Sequence, residues 1–343
     1  MSRATGPIQT VNNPKIGSKI IQTLNKMKKR RHHFVWKDYL TPWLIEGKIF
    51  TSQSEKVFNT NPINIGVQTD FYKLKELTPE DIAFIEIVFR NELAGNLGEA
   101  NRGWLSSFQK AFRLRKSLKQ AGISSRDIED QIDLTIQNAE EDLHFEIESD
   151  ASRLMAMLRE KKCGFFLEQE DRVTFAYYLM NQYFRTKKIE EAWLSAFTDD
   201  VRFNKVNIRN CWAIGRHITS TQTAAGIFNN ENFRLIPLIN NTSISFITGD
   251  QPVLNTYTVG KWGREIPSGT QFYYPISPSF AILVSTESSS SAEVFLTKEQ
   301  VWDYNLSIYD VHHEQLYANS AHILEECADR YNAREQRNGL SAL

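Results

Sequence analysis

The stretch Phe272-Tyr-Tyr-Pro-Ile-Ser-Pro-Ser-Phe-Ala-Ile-Leu-Val-Ser-Thr286 holds two short runs rich in aromatic and branched residues, 272–275 and 280–286. Runs of this length and composition read as β-strands, with the Ser-Pro pair as the break between them. Their position decides the fold, because they follow a long helical zone at 78–230. That zone opens with Thr78-Pro79-Glu80-Asp81, an N-cap, a proline at the first helical position and acids in the first turn. Further helices are expected at 99–120, 124–160, 170–186, 187–197 and 204–228. Strand-like segments precede the zone at 48–51 and 69–74, after a basic helix expected from residue 18, and follow it at 233–239 and 244–248. A capping box, Thr297-Lys298-Glu299-Gln300, starts one long closing helix. Strands at both ends with helices between predict an α+β fold. Its antiparallel or mixed sheet is formed by N- and C-terminal segments around a large central helical region. We expect a single domain over 18–335, with its helical subregion at about 78–230 and flexible segments at 1–17 and 336–343.

Composition narrows the class. The 343 residues are 41% hydrophobic and include 21 Phe, 12 Tyr and 7 Trp, too apolar for a disordered chain. The 40 basic and 41 acidic side chains leave a net charge of −1, which gives no global pull toward nucleic acid or membrane. Positive charge does gather at 26–37 and negative charge at 140–150, so a local phosphate contact stays open. Cys163, Cys211 and Cys327 form no C-x-x-C pair and read as buried reduced thiols. No apolar run approaches the roughly 18 residues a bilayer span needs, so a cytoplasmic protein without membrane contact is expected. The phosphate-loop, dinucleotide-binding, G-x-S-x-G and H-E-x-x-H motifs are absent.

Candidate residues emerge where polar groups fall on apolar helix faces. Ile82, Ile85, Phe89 and Leu93 make a stripe at about 100° per residue, and Glu86 falls inside it. A carboxylate on such a face needs a partner or a job; the plain reading is an ion pair, with Arg185 as one partner. On the 170–186 helix, Gln182, Arg185 and Thr186 share the face of Phe175, Tyr178 and Leu179. A guanidinium there could clamp a phosphate or carboxylate. On the closing helix Asn305, His312 and Asn319 lie among Val301, Ile308 and Leu316. Asp250 sits at a strand exit, where it is either presented to a substrate or makes an ordinary Asx turn.

Near the N-terminus, Lys28, Lys29, Arg30 and Arg31 run into His32-His33 and aromatic residues. The run could contact a phosphate backbone or simply complement a helix C-terminus. If the chain is extended there, only one imidazole faces inward. No two histidines share ligand spacing on one helix face. The sequence therefore names no cofactor, while leaving a divalent metal open.

These residues carry a resemblance. His32, His33, Val35, Tyr39 and Leu40, then Ile85-Glu86, then Gln182, Arg185 and Thr186, then Phe246–Val253, then Pro275, Ser277 and Pro278, and finally Asn305 follow in order a pattern similar to the bacterial DUF4238 family. Gly249 stands where the family often has serine, and Lys187 where a proline often follows the threonine. The resemblance implies no reaction, but it picks out the same charged residues.

The expected function is a nuclease-like phosphodiester hydrolase of a toxin or phage-defence type. Its composite site would join His32 or His33, Glu86, Asp250 and Asn305 as catalytic groups. Gln182, Arg185 and the basic run Lys28–Arg31 would bind substrate, with His312 as a further candidate. Nucleic acid would then meet the 26–37 segment. The rivals are a non-enzymatic protein, with a protein partner or as a homo-oligomer, in which these groups form a buried structural network, and an enzyme acting on a small nucleotide.

Overall fold

The computed structural model describes residues 27–260, 267–287 and 293–341. The 1–17 segment and the start of the basic helix expected from residue 18 lie outside them. Strand β1 (Arg31–His33) pairs antiparallel with β4 (Val67–Thr69). Between them β2 (Ile49–Gln53) and β3 (Lys56–Thr60) form a hairpin. Its two turn residues, Ser54 and Glu55, both take left-handed backbone at φ 49° and 63°. That is the geometry of a primed hairpin turn without the usual Asn-Gly, which is why the sequence carries no turn signal for β3. The strand expected at 69–74 ends at Thr69. Asp70 turns the chain at φ 57°, and Tyr72 and Leu74 are buried in a loop held to the helices by Leu74 N–H donating to Ile136 O at 3.1 Å.

The helical zone follows as α1 (Pro79–Val88), α2 (Arg90–Ala94), α3 (Gly98–Gln120), α4 (Arg126–Arg159), α5 (Gln169–Phe184), α6 (Lys187–Phe197) and α7 (Ile208–Asn229). The capping box at Thr78 is completed by Asp81, whose other oxygen accepts Asn207 N–H at 2.8 Å and so ties the start of α1 to the start of α7. Helix α1 breaks at Phe89, where ψ rises to 27°. Leu93 therefore belongs to a different helix, and a stripe extrapolated through it misplaces Glu86. The buried residues of α1 are Asp81, Phe84 and Ile85, and Glu86 is exposed.

The C-terminal part forms β5 (Arg234–Ile239), β6 (Thr248–Gly249), β7 (Leu254–Asn255), β8 (Gln271–Ser277), β9 (Phe280–Ser285), β10 (Val294–Phe295), α8 (Lys298–Val311), β11 (Gln315–Ala318) and α9 (Ala321–Ser341). One sheet has the order β10-β5-β9-β8-β7, parallel only at β10-β5. Its two faces separate cleanly by the strand period of two. Phe272, Tyr274, Phe280, Ile282 and Val284 join the core that includes α4 and α5 residues, while Tyr273, Ala281 and Leu283 join the core of α8 and α9. The second sheet, β3-β2-β11-β6, interleaves the two ends of the chain. The α+β architecture with N- and C-terminal strands and a central helical region is thus present, in three separate sheets among the described residues.

The expected closing helix is interrupted. It stops at Val311, His312 turns to extended backbone (φ −59°, ψ 157°), and β11 follows. The cause is Asp250, whose carboxylate accepts N–H groups of His313, Glu314 and Gln315 at 2.8, 2.7 and 2.9 Å. Those donors would otherwise bond back into the helix. Beyond β11, α9 runs on to Ser341, so residues 336–341 continue a helix instead of forming a tail. Cys211 and Cys327 are buried and Cys163 half-buried, all three unbridged.

Asn305 fastens α8 to the segment before β6: its Oδ1 accepts Ile247 N–H at 3.0 Å and its Nδ2 donates to Ser245 O at 2.9 Å. Asn305→Ala leaves both main-chain groups unpaired and is expected to cost about 1–3 kcal/mol, measurable by denaturant unfolding.

Candidate functional site

The groups singled out in the sequence do not meet at one place. Asp250 and Asn305 spend their polar atoms on main chain, as described. Glu86 lines an open groove of about 470 Å³ with Arg90, Arg102 and Arg113. His312 caps α8 and bonds through Nδ1 to Tyr309 O. Of the two N-terminal imidazoles, His32 is fully buried and His33 half-buried with Nε2 3.3 Å from Ile63 O, so one does face inward. The basic run is largely matched by acids: Lys28 with Asp133, Lys29 with Asp142 at 2.7 Å, and Arg30 with Asp70 at 2.7 Å. Arg31 donates to Ile63 O.

Arg185 and Gln182 are buried as expected, but Arg185 pairs with Glu148 at 2.6 Å and not with Glu86. Its Nε donates to Phe34 O at 3.1 Å, and Nη2 to Gln182 Oε1 at 3.0 Å. This arginine belongs to a larger polar cluster enclosed by α4, α5 and α7. On α4, Ile136, Glu140, His144, Ile147, Ala151, Leu154 and Leu158 are buried along one face at spacings of three and four, so Glu140 and His144 occupy core positions. On α7, Arg216 and His217 are buried beside Ile214 and Ile218. Glu140 Oε1 accepts from His217 Nε2 at 2.9 Å, from Arg216 Nε at 3.0 Å and from Arg216 Nη2.

Aromatic rings wall the cluster. Tyr72 lies against His144 with centroids 4.5 Å apart and under the Arg216 guanidinium at 4.5 Å. Its N–H donates to His32 Nδ1 at 2.7 Å. Trp104 stacks on His217 at 4.7 Å and Phe108 meets it edge-on. Such walls lower the local dielectric and magnify every charge inside.

The electrostatics follow from that burial. Burial works against ionising Glu140, but Arg216 and His217 outweigh it and hold the carboxyl below its ordinary value. Burial, and then the Arg185 and Arg216 charges, push His144 far below the usual histidine value, so its ring is neutral. Burial also lowers His217 against the opposing pull of Glu140. Burial opposes the Arg185 charge, and Glu148 more than restores it. Glu141, next to Glu140 on α4 and partly open to solvent, is pushed up to about 7 by burial despite Arg185.

Five buried atoms have no hydrogen-bond partner here: Gln182 Nε2, Glu141 Oε2, both ring nitrogens of His144, and His217 Nδ1. One oxygen or nitrogen each from Glu140, His144 and His217 falls within a common 4.8 Å. None of these residues was picked out in the sequence. The acidic stretch at 140–150 read as bulk charge, although Glu140 and His144 sit four apart inside an apolar stripe, which is the signal that identifies them.

Glu140→Gln strands the buried Arg216 charge and is expected to destabilise the chain by about 3–5 kcal/mol. Glu86→Ala, on an exposed side chain, stays within about 0.5 kcal/mol. Parallel chemical denaturation of the two variants checks both.

No curated protein and no solved structure matches this chain. A family described as "Protein of unknown function (DUF4238)" matches residues 31–322. The match takes in β1 with its histidine pair, the polar helical interior and the Asp250 turn. The chain is therefore a member of the DUF4238 family.

Proposed function

We propose that the chain is a phosphodiester hydrolase acting on a small nucleotide, with its centre in the polar cluster between α4, α5 and α7. The observation that carries this reading is the convergence of two guanidiniums, two imidazoles and three carboxylates. They are Arg185, Arg216, His144, His217, Glu140, Glu141 and Glu148, and several of their polar atoms are not used in holding the fold. Arginines of this kind stabilise phosphoryl charge, while imidazoles and carboxyls move protons. A small substrate suits the cluster better than a polymer. The cluster is aromatic-walled and enclosed, and three of the four cations in the basic run are paired with acids. An effector role of toxin or phage-defence type is part of the same proposal.

A second reading is favoured by one specific observation. Arg185 donates to a main-chain carbonyl of a distant segment, and His32, Asp250 and Asn305 accept from main-chain N–H groups of distant segments. On that reading the polar interior is a scaffold that fixes the helices to the strands, and the chain serves a partner.

The test is turnover of mononucleotide and dinucleotide phosphodiesters, beside DNA and RNA, by wild type and Glu141→Gln. The expected result is cleavage of small nucleotides with the polymers intact. We expect Glu141→Gln to lose about 100-fold or more in rate at unchanged melting temperature, and to relieve any growth arrest that wild type causes on induction. Equal rates in the two proteins, or no turnover by either, contradict the enzyme reading.

A further inference from the structure

Two features of the α4–α7 contact remain unexplained by packing. The first is positional. Glu140 and His144 lie one turn apart on α4 and direct side chains to the same face, where His217 arrives from α7. Their ligand atoms lie within 4.8 Å of one another. The second is chemical. His144 is 2% exposed, yet neither of its ring nitrogens has a partner, and His217 Nδ1 has none either. A neutral imidazole carries one N–H and one bare lone pair, and buried groups of this kind are nearly always matched by protein, water or an ion.

We propose that Glu140, His144 and His217 bind one divalent transition-metal ion of the zinc class. Two imidazoles and one carboxylate form a donor set suited to zinc, which takes three protein ligands and keeps a fourth position open. Ligands projecting inward from facing helices are also how bundle-core metal sites are built. The hydrogen bonds that Glu140 accepts from Arg216 and His217 all fall on Oε1, which leaves Oε2 without a bond from either residue.

The charge facing the site permits a cation. Glu140, Glu141 and Glu148 from α4 stand against Arg185 at the C-terminal cap of α5 and Arg216 from α7, with His32 from β1 on the far side of Tyr72. Glu140 and Glu148 offset the two guanidiniums, and Glu141, pushed up to about 7, tips the balance negative as it ionises. Tetrahedral ligand atoms at about 2.0–2.1 Å from zinc are roughly 3.3 Å apart, so binding draws the three side chains together by small rotamer changes. No carboxylate or carbonyl orients the second nitrogen of His144. The ion is accordingly held less tightly than in a closed structural site.

Metal binding is read without any substrate, so its outcome is separate from that of the hydrolase reading. Tag-free protein is stripped with chelator, equilibrated with Zn²⁺, Co²⁺ or Mg²⁺, and assayed for bound metal and for the Co²⁺ visible spectrum. The expected result is one Zn²⁺ or Co²⁺ per chain, no retained Mg²⁺, and a rise in melting temperature with Zn²⁺. His144→Ala and His217→Ala should each weaken Zn²⁺ binding by about 100-fold or more, while the exposed His322→Ala leaves it unchanged. His144→Gln, closer in volume, serves if the alanine variant does not fold. X-ray absorption of the wild-type Zn²⁺ complex counts imidazole ligands whatever the variants do, and two are expected. A wild type that retains no ion, a folded His144 variant with undiminished affinity, or a spectrum without imidazole ligands overturns the assignment.

Discussion

The Asp250 carboxylate is the constraint on which the rest of the architecture depends. By taking three consecutive amides at 313–315 it ends α8 and commits the chain to an extended path. Asp250 N–H in turn donates to Gln315 O at 3.0 Å, so β6 and β11 are clamped from both sides. Hydrogen bonds to a charged group contribute about 1.5–3 kcal/mol each, enough to outweigh the helical bonds given up. The result is that β11 enters between β6 and β2, and the two ends of the chain close one sheet. Gly66 extends the same junction: its N–H donates to Gln315 Oε1 at 3.0 Å. At φ +56° an added Cβ would sit 2.8 Å from Val35 Cβ, so only glycine fits.

That closure positions the helical interior. Val35 and Tyr39, just after the histidine pair, are fully buried, and Tyr39 O–H donates to Pro275 O in β8 at 2.8 Å. The same N-terminal segment gives Phe34 O to Arg185 and His32 to Tyr72, and so reaches the edge of the α4–α7 cluster. Strand exit and helical centre are thus two ends of one polar chain of contacts. The first is fully satisfied by main-chain donors. The second keeps uncommitted nitrogens and a carboxyl titrating near neutrality. The proposed hydrolase centre is placed at the second end, where the groups are not already used.

Much of this was legible in the residues. Helix positions and the α+β layout followed from capping signals and strand runs, because those are local. The inward turn of one N-terminal histidine and the burial of Gln182 and Arg185 followed from periodicity. What failed did so for tertiary reasons. A stripe read through Leu93 puts Glu86 on a buried face that the break at Phe89 cuts short, and a closing helix read past Val311 runs through residues that Asp250 captures from 63 to 65 positions away in sequence. Arg185 found Glu148, from a helix whose charge density masked its buried face. Glu140 and His144 carry a sequence signal, but His217 joins them only through the packing of α7 on α4, which no spacing within one segment reveals.

The strand exit at Asp250 is architecture, separate from the interior of α4 and α7 where we propose the chemistry. Amide hydrogen exchange on folded Asp250→Asn, beside wild type, tests that separation most directly. The account predicts that protection collapses together at 313–318 and along β2, while amides of α4 around His144 and of α7 around His217 exchange as before. Unchanged protection at 313–318, or a loss confined to α4 and α7, would contradict it.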